Sequence, residues 1–592
     1  MTSKAQSVAV RFLPSLTDVA FLVPLIFQFK QLGGAPSLLA DGDTGWHLRT
    51  GEWILAHGQV PQQDMFSYTH AGKPWFAWEW LWDVSFGFLD QHFGLGAVVA
   101  LSMLLICCTS AMLYRLVLRK CPNPLMAILV TVLAAAGASI HWLARPHLFT
   151  MFFAVVFLSI LDAAYVELTT HPLQGEGAGS MRPATQRMLW LLPVLTVLWT
   201  NLHGGFLAGL IIIGGFAGGG LLGALLEPAR DARTAILARV KPFFVTGALC
   251  ALATLVNPYF IGLHEHIVKY LLDPYLYEHI AEFMAFNFNH PAARYVETLM
   301  LLGVTTAIWN LYHRRFEYFV LVAGWLHLAL NVRRNVPLFS LICAPFVAEA
   351  LYCWLRDLES LRTVEWIKRL AQRFREMGAG IVETDRMPRL HLASAAGMAL
   401  LIAVLYAPAP PKDFRASQDP QFFPVNAANV LLREGDDRIF TSDSWGGYLI
   451  YRLYPKAKVF IDGRSDFYGA NFELKYLDLF LAKYDWDQNL RRYGAETVVV
   501  PADAPLASAL KGNPRWRVAY DDKVAIIFRL AVSPRPNQQV SNCPEMGIGE
   551  SCGKPASVAV SMSDHTPKGP EHSKTNIVAE IGPPRLPLLS RP

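Results

Sequence analysis

Eleven stretches of this chain are long, apolar and nearly free of charge: 16–33, 95–117, 124–141, 147–166, 188–201, 204–226, 242–257, 296–311, 317–331, 335–354 and 392–409. A helix needs roughly 20 apolar residues to cross the core of a bilayer. Within lipid only helices and closed barrels satisfy their own backbone. The 592 residues are 53% hydrophobic and 17% charged, too apolar a balance for an ordinary soluble chain of this length. The sequence therefore predicts an α-helical polytopic membrane protein with about eleven transmembrane helices. The shorter runs 188–201, 242–257 and 317–331 fit a tilted or re-entrant course.

Loop charges give an orientation. An inside N-terminus, carrying Lys4 and Arg11, places Arg115, Arg119, Lys120, Arg182, Arg187, Arg230, Arg233, Arg239, Lys241, Arg314, Arg315 and the basic loop 355–390 on the inner side. The outer side then holds only Arg49, Lys73, Arg145, Lys269, Arg294, Arg333 and Arg334. Basic residues concentrate on the cytoplasmic side of membrane proteins, so the region after 409 is expected outside. The net charge of +5 is then topology, and no nucleic-acid partner is expected. The first run is read as an uncleaved helix, because the polar segment behind it needs an anchor. Cys107, Cys108, Cys250, Cys343 and Cys353 lie in or beside apolar runs, where cysteine acts as a small hydrophobe. Cys543 and Cys552 lie in the tail, and no metal-type cysteine spacing occurs.

The membrane domain is expected over 1–410, with a first outer loop at 34–94 and a second at 258–295. In the first, Trp75, Trp78, Trp80 and Trp82 suit a helix lying at the headgroup level. In "GGFAGGG", Gly214 and Gly218, and Gly215 and Gly219, stand four apart, which points to close helix packing. After "APAPPKDF" a small soluble α/β domain is expected over 421–531. "RIFTSD", "KVFIDGR", "ETVVVP" and "VAIIFRL" read as strands, with "GGYLIYRLY", "NFELKYLDLFLAKY" and "WDQNLRRYG" as helices between them. The tail 533–592, rich in Pro, Ser, Gly and Asn, reads as disordered.

Ionisable residues avoid the middle of the runs and gather at their outer ends. Asp41, Asp43 and His47 ("DGDTGWHL") follow the first. His141, Arg145 and His147 ("HWLARPH") join the third and fourth; Asn201 and His203 ("TNLHGG") join the fifth and sixth. Arg333, Arg334 and Asn335 ("NVRRN") join the ninth and tenth. In one bundle these turns would ring a single outer cavity. Each residue alone has a bland reading as a cap, an interfacial anchor or a solvated loop group. Arg333 and Arg334, however, sit where the loop-charge rule disfavours them, and guanidinium suits phosphate. A carboxylate there can take the proton of an attacking hydroxyl. Alternatively, Asp41 and Asp43 hold a divalent cation, Mg or Mn, on a diphosphate.

These residues resemble the GT-C superfamily of glycosyltransferases that use lipid-linked sugars. "DGDTGWHLRTGEWILAHGQVPQQDMFSYTHAGKPWFAWEWL" is similar to bacterial membrane proteins of that type with a D-x-D-x-x-W-H-L-x-T-G-x-x-I pattern and a later E-W-L. "RRN" and "GGYLIYRLYPKAKVFIDGRSDFY" match the same group, and the likeness runs from about 40 to 531 in order. The resemblance implies sugar transfer from a polyprenyl-phosphate donor to a glycan, lipid or protein acceptor at the outer face of the bacterial cytoplasmic membrane. It places the base on Asp43 or Asp41, with Asp43 favoured, and the loop glutamate on Glu79. Phosphate binding falls on Arg333 and Arg334, with Arg145 as a further site; Asp462 and Arg464 would close the cavity from above. His47, His147, Asn201, His203 and Asn335 are expected to line it. The strict Asp-Glu pair of the mannosyltransferases is absent, so metal dependence does not carry over. A transporter, a non-catalytic assembly protein, and a polymerase or ligase for preformed glycans are the competing readings. The spans' lack of mid-depth charge speaks against the first.

Overall fold

The computed structural model describes residues 10–170, 182–360, 365–385 and 387–531; the tail from 533, with Cys543 and Cys552, lies outside the described residues. All eleven apolar runs fall on helices: α1 (Leu16–Gln31), α4 (Leu95–Lys120), α5 (Pro124–Ala138), α6 (His147–Thr170), α7 (Pro183–Leu202), α8 (Leu207–Leu226), α9 (Arg230–Ala253), α10 (Ala293–Tyr312), α11 (Phe316–Asn331), α12 (Val336–Ser360) and α14 (Leu392–Leu405). Among the described residues, six helices are long and apolar enough to cross a membrane, and α11 and α14 are shorter apolar helices. The runs at α1, α7 and α10 are helical as well, but carry polar residues such as Asp18 and Lys30, Arg187, or Arg294 and Glu297.

Local chemistry sets the helix starts. Ser15 caps α1: its Oγ accepts the Asp18 N–H at 3.4 Å, and the Asp18 carboxylate accepts the Ser15 N–H at 2.8 Å. Asn123 caps α5 by accepting from Leu125 and Met126, and Pro124 takes the first helical position, where a missing N–H costs nothing. The "GGFAGGG" reading resolves into two faces. A Cβ at Gly215 or Gly219 would collide with Leu321 or Glu317 of α11, whereas Gly214 and Gly218 meet nothing within 4 Å. One glycine pair is therefore a packing seam.

The spans are not free of ionisable groups. Lys120 bonds Asp162 at 3.1 Å and reaches Glu349 at 3.4 Å, and Arg315 bonds Glu349 at 2.8 Å. Tyr318 Oη donates to Asp162 at 2.7 Å. Two cations meet two carboxylates, so the network closes on itself and ties α4, α6, α11 and α12 together. Loop 355–390 holds α13 (Glu365–Asp385), which docks by its packed face: Asp385 accepts from Leu16 N–H and Tyr114 Oη, both at 2.7 Å.

Besides the short helix Gly34–Leu38, two longer helices lie in the first outer loop, α2 (Asp43–His57) and α3 (Trp80–Phe93). They cross where Gly51 leaves no side chain; a Cβ there would sit 1.8 Å from the Asp83 carbonyl oxygen. Of the four tryptophans expected at the headgroup level, Trp78 and Trp80 are half-buried, but Trp75 and Trp82 are core residues, 3% and 0% exposed. They pack against α2 and the outer domain, which hold the loop down.

The region after 420, called the outer domain for the side expected of it, carries a five-stranded mixed sheet of order β2-β1-β3-β5-β4, with β1 (Arg438–Thr441), β2 (Lys458–Val459), β3 (Thr497–Pro501), β4 (Trp516–Asp521) and β5 (Ala525–Leu530). β1 is parallel to β2 and β3, while β5 is antiparallel to β3 and β4. β4 and the helices Val425–Glu434 and Pro505–Lys511 add to the elements read from sequence. The first outer loop extends the β2 edge: Val459 N–H donates to Phe66 O, and Tyr68 N–H to Val459 O, both at 3.1 Å. α15 (Asp443–Leu453) lies across the start of α2. A Cβ at Gly45 would be 2.3 Å from the Gly447 carbonyl oxygen, and one at Gly447 would be 2.3 Å from that of Gly42. The glycines of "DGDTG" and "GGY" thus serve a backbone-to-backbone contact.

Candidate active site

The turns after α1, between α5 and α6, between α7 and α8 and between α11 and α12 meet at one end of the helices. Asp41 and Asp43 follow α1, and the Asp41 carboxylate accepts the Asp43 N–H at 2.9 Å. Both carboxylates turn to Arg145, in the turn between α5 and α6, at 2.7 Å and 3.1 Å. That turn is stitched to the first outer loop: Ala144 N–H donates to Leu38 O at 2.7 Å, and Thr44 Oγ1 donates to Ala144 O at 3.2 Å. Glu282, from the second outer loop, completes the group at 3.2 Å from Arg145 Nη1.

Glu282 also faces Arg334 at 3.9 Å, and Arg334 stacks on Phe283 at 4.7 Å. Backbone bonds fix that meeting. Arg334 N–H donates to Glu282 O at 3.1 Å and Arg333 N–H to Met284 O at 2.8 Å. Asn335 Nδ2 donates to Leu328 O at 3.2 Å, so its amide braces the turn.

A second carboxylate group lies beside the first. Glu79, at the start of α3, stands between two histidines: His203 Nε2 is 3.6 Å from Oε1, and His47 Nε2 is 3.9 Å from Oε2. His203 Nδ1 is approached by Thr150 Oγ1 at 2.7 Å and by Gly205 N–H at 3.0 Å. Trp199 Nε1 donates to that same threonine oxygen at 2.9 Å. Nδ1 is therefore an acceptor, and the imidazole proton sits on Nε2, aimed at Glu79. His47 Nδ1 meets Asp83 Oδ1 at 2.7 Å, with both side chains 1% exposed. His147 Nε2 donates to His141 O at 2.7 Å, and the two rings lie 4.2 Å apart.

Burial sets the proton affinities. Burial, then the neighbouring Asp41, pushes the Asp43 carboxyl up to about 7 against the pull of Arg145. Burial likewise pushes Glu79 up to about 8. Burial, then Glu79, drives Asp83 well above the carboxylate range, while burial drives His47 well below the imidazole range. That pair shares one proton rather than forming an ion pair. For Glu282 burial is outweighed by His141, Arg145 and Arg334, which hold it well below the usual carboxylate range.

Other expected site residues serve elsewhere. Asn201 spends its whole amide on structure: it accepts from Trp80 Nε1 at 2.7 Å and donates to Val197 O and Val256 O at 2.8 Å each. Asp462 and Arg464 are sealed rather than open above the cluster. Arg464 is 2% exposed, binds Asp462 at 2.7 Å and Asp64 of the first outer loop at 2.8 Å, and stacks among Trp46, Phe66, Trp75, Phe467 and Tyr468. The neighbouring Gly463 touches the site instead: a Cβ there would lie 2.1 Å from Asp43 Oδ1. Glu282 and Asp83 carry contacts that the sequence did not single out. Among the described residues, no group of three or more His, Cys, Asp or Glu is arranged to hold a metal ion.

No family model and no curated protein matches the sequence. Solved structures do match. The Archaeoglobus fulgidus oligosaccharyltransferase in its apo form aligns with TM-score 0.51 at 11% identity, over 84% of this chain and 70% of that one. AglB from the same organism, in complex with an inhibitory peptide and a dolichol-phosphate, aligns with TM-score 0.51 at 12% identity, over 90% and 75%. ArnT from Cupriavidus metallidurans aligns at 13% identity over 89% and 97%, but its TM-score of 0.38 is too slight to build on. The chain is structurally similar to the GT-C membrane glycosyltransferases, at low sequence identity. Its fold is GT-C-like: apolar helices and a mixed β-sheet region toward the C-terminus.

Proposed function

We propose that this protein transfers a sugar from a polyprenyl-phosphate carrier to an acceptor hydroxyl at the outer face of the bacterial cytoplasmic membrane. The observation that carries this reading is the Asp43 carboxyl. It is held by Arg145 at 3.1 Å, pushed up to about 7, and still 16% exposed at the outer end of a GT-C-like helix bundle. A base with that affinity is half ionised near neutral pH, where acid–base catalysis is most effective. AglB, of like fold, was captured with a dolichol-phosphate. The orientation comes from the loop charges, with 1–410 as the membrane domain of eleven spans and 421–531 outside.

In this reading Arg333 and Arg334 hold the lipid phosphate. The acceptor oxygen gives its proton to Asp43 as it bonds to the sugar's anomeric carbon, and the bond from that carbon to phosphate oxygen breaks. The released phosphate stays against the arginines, which stabilise its charge. Glu79, mostly protonated at neutral pH, keeps the cluster's negative charge low beside an anionic donor. The test is transfer by the purified protein in liposomes, with a panel of radiolabelled polyprenyl-phosphate sugars and Asp43→Asn as control. Release of labelled, lipid-free product by the wild type alone supports the reading. No transfer from any donor, under conditions where the protein binds them, refutes it.

A further inference from the structure

Three carboxylates from two distant chain segments, 41–43 and 282, close on a single guanidinium. Asp41, Asp43 and Glu282 stand 2.7, 3.1 and 3.2 Å from the terminal nitrogens of Arg145. One cation gathering carboxylates from distant segments is the arrangement that a divalent metal usually organises. Here the cation is part of the chain. Arginine keeps its charge under all conditions and presents a rigid fork of donors. The fork is fixed from behind by the stitched turn at Ala144, and Arg145 Nε is buried without a partner.

The residues therefore do not fit a metal. The oxygens of Asp41 and Asp43 are already committed: one of each faces the guanidinium, the other Asp41 oxygen accepts the Asp43 N–H, and the other Asp43 oxygen packs on Gly463; an ion there would also add its charge beside Arg145, with Arg334 facing the same Glu282 at 3.9 Å. We propose that Arg145 is the resident cation of this site. It takes the place of a dissociable divalent ion, and aligns Asp43 while offsetting the charge of the acidic group. The charge assignment stands apart from the proposed sugar transfer; its catalytic consequence rests on that reading.

The experiment uses Mn²⁺ as the probe, with the full chain in nanodiscs and binding followed by electron paramagnetic resonance. The wild type is expected to bind no more Mn²⁺ than the Asp41→Asn/Asp43→Asn double variant, and to keep its transfer activity in a chelator. Arg145→Ala is expected to gain a Mn²⁺ that the added Asp41→Asn/Asp43→Asn changes remove. Its transfer should fall about 10²-fold or more, as when a preorganised donor is lost, and recover in part with Mn²⁺. Arg145→Lys keeps the charge without the fork and should bind no Mn²⁺. The proposal is overturned by Mn²⁺ on the wild type that the double variant loses, or by a folded Arg145→Ala protein that gains none. Should the wild type transfer no sugar, the functional reading falls while the Mn²⁺ measurement still decides the cation.

Discussion

Replacing Asp43 by Asn should move activity and stability in opposite directions. The Asp43 carboxyl stands near 3.8 in an unfolded chain and is pushed up to about 7 in the fold. Between those values the folded protein holds a proton that the unfolded chain has released. By linkage, stability falls as pH rises through that window and is flat above it. The difference corresponds to about 4 kcal/mol by 1.36 kcal/mol per unit, an upper figure because water entry and relaxation soften it. Asparagine has the same shape and cannot ionise, so it escapes this cost. Asp43→Asn is therefore expected to match the wild type in thermal unfolding near pH 4 and to exceed it near pH 8. Transfer should nonetheless fall about 10²–10⁴-fold, the usual loss with a general base. Wild-type turnover should rise with pH through about 7, as the base ionises. Scanning fluorimetry in detergent at several pH values, beside the liposome assay, measures both. A variant that transfers normally, or is destabilised equally at all pH values, would show that the carboxylate is only structural.

Arg334→Ala should weaken donor binding about ten- to a hundredfold, from the roughly 1.5–3 kcal/mol of a charged hydrogen bond. Arg375→Ala, which loses a two-pronged contact with Glu359 at 2.8 and 2.9 Å away from the site, should leave it unchanged; lipid-phosphate titration compares them. His47→Leu or Asp83→Leu alone should cost about 1–3 kcal/mol by stranding a buried neutral partner, and the double variant less than the sum. Chemical denaturation of all four proteins gives the cycle, and simple additivity would refute the shared proton. Arg464→Ala should strand Asp64 and Asp462 and free the outer domain from the first outer loop, read as faster proteolysis between 415 and 470; unchanged cleavage would refute the clamp. A Cys at Ala470 should label from the outside of intact cells and one at Ala379 should not; the reverse would invert the orientation.

The helical architecture was legible because lipid leaves so few choices: each apolar run had to become a helix. Directions were harder to read. Loop 258–295 offers His264, Glu265, His266 and Glu282 with no periodicity to rank them. What turns Glu282 inward is backbone pairing with Arg333 and Arg334, and no side-chain pattern records that. His266 instead bonds Asp466 of the outer domain at 2.9 Å. β4 escaped for another reason. It is an edge strand exposed on both faces over Arg517, Val518 and Ala519, so "WRVAYD" lacks the apolar run of a buried strand. A register shift between Val518 and Tyr520 further breaks its alternation.

Asp462 and Arg464 show how a polar motif misleads. "FIDGRSD" reads as chemistry because an acid and a base stand together near a glycine. In the fold the charged pair is a clamp sealed among five aromatic rings, and the glycine between them is what meets the catalytic candidate. Gly463 has no side chain because Asp43 Oδ1 lies where a Cβ would sit, 2.1 Å away. Gly42 and Gly45 act the same way from the other side, pressing the start of α2 onto α15. With both flanks of the helix start committed to backbone contacts, Asp43 turns toward Arg145, and the spacing of "DGDTG" is met by packing as much as by chemistry. A motif search reads those glycines as decoration around two aspartates, yet here they decide which way Asp43 points.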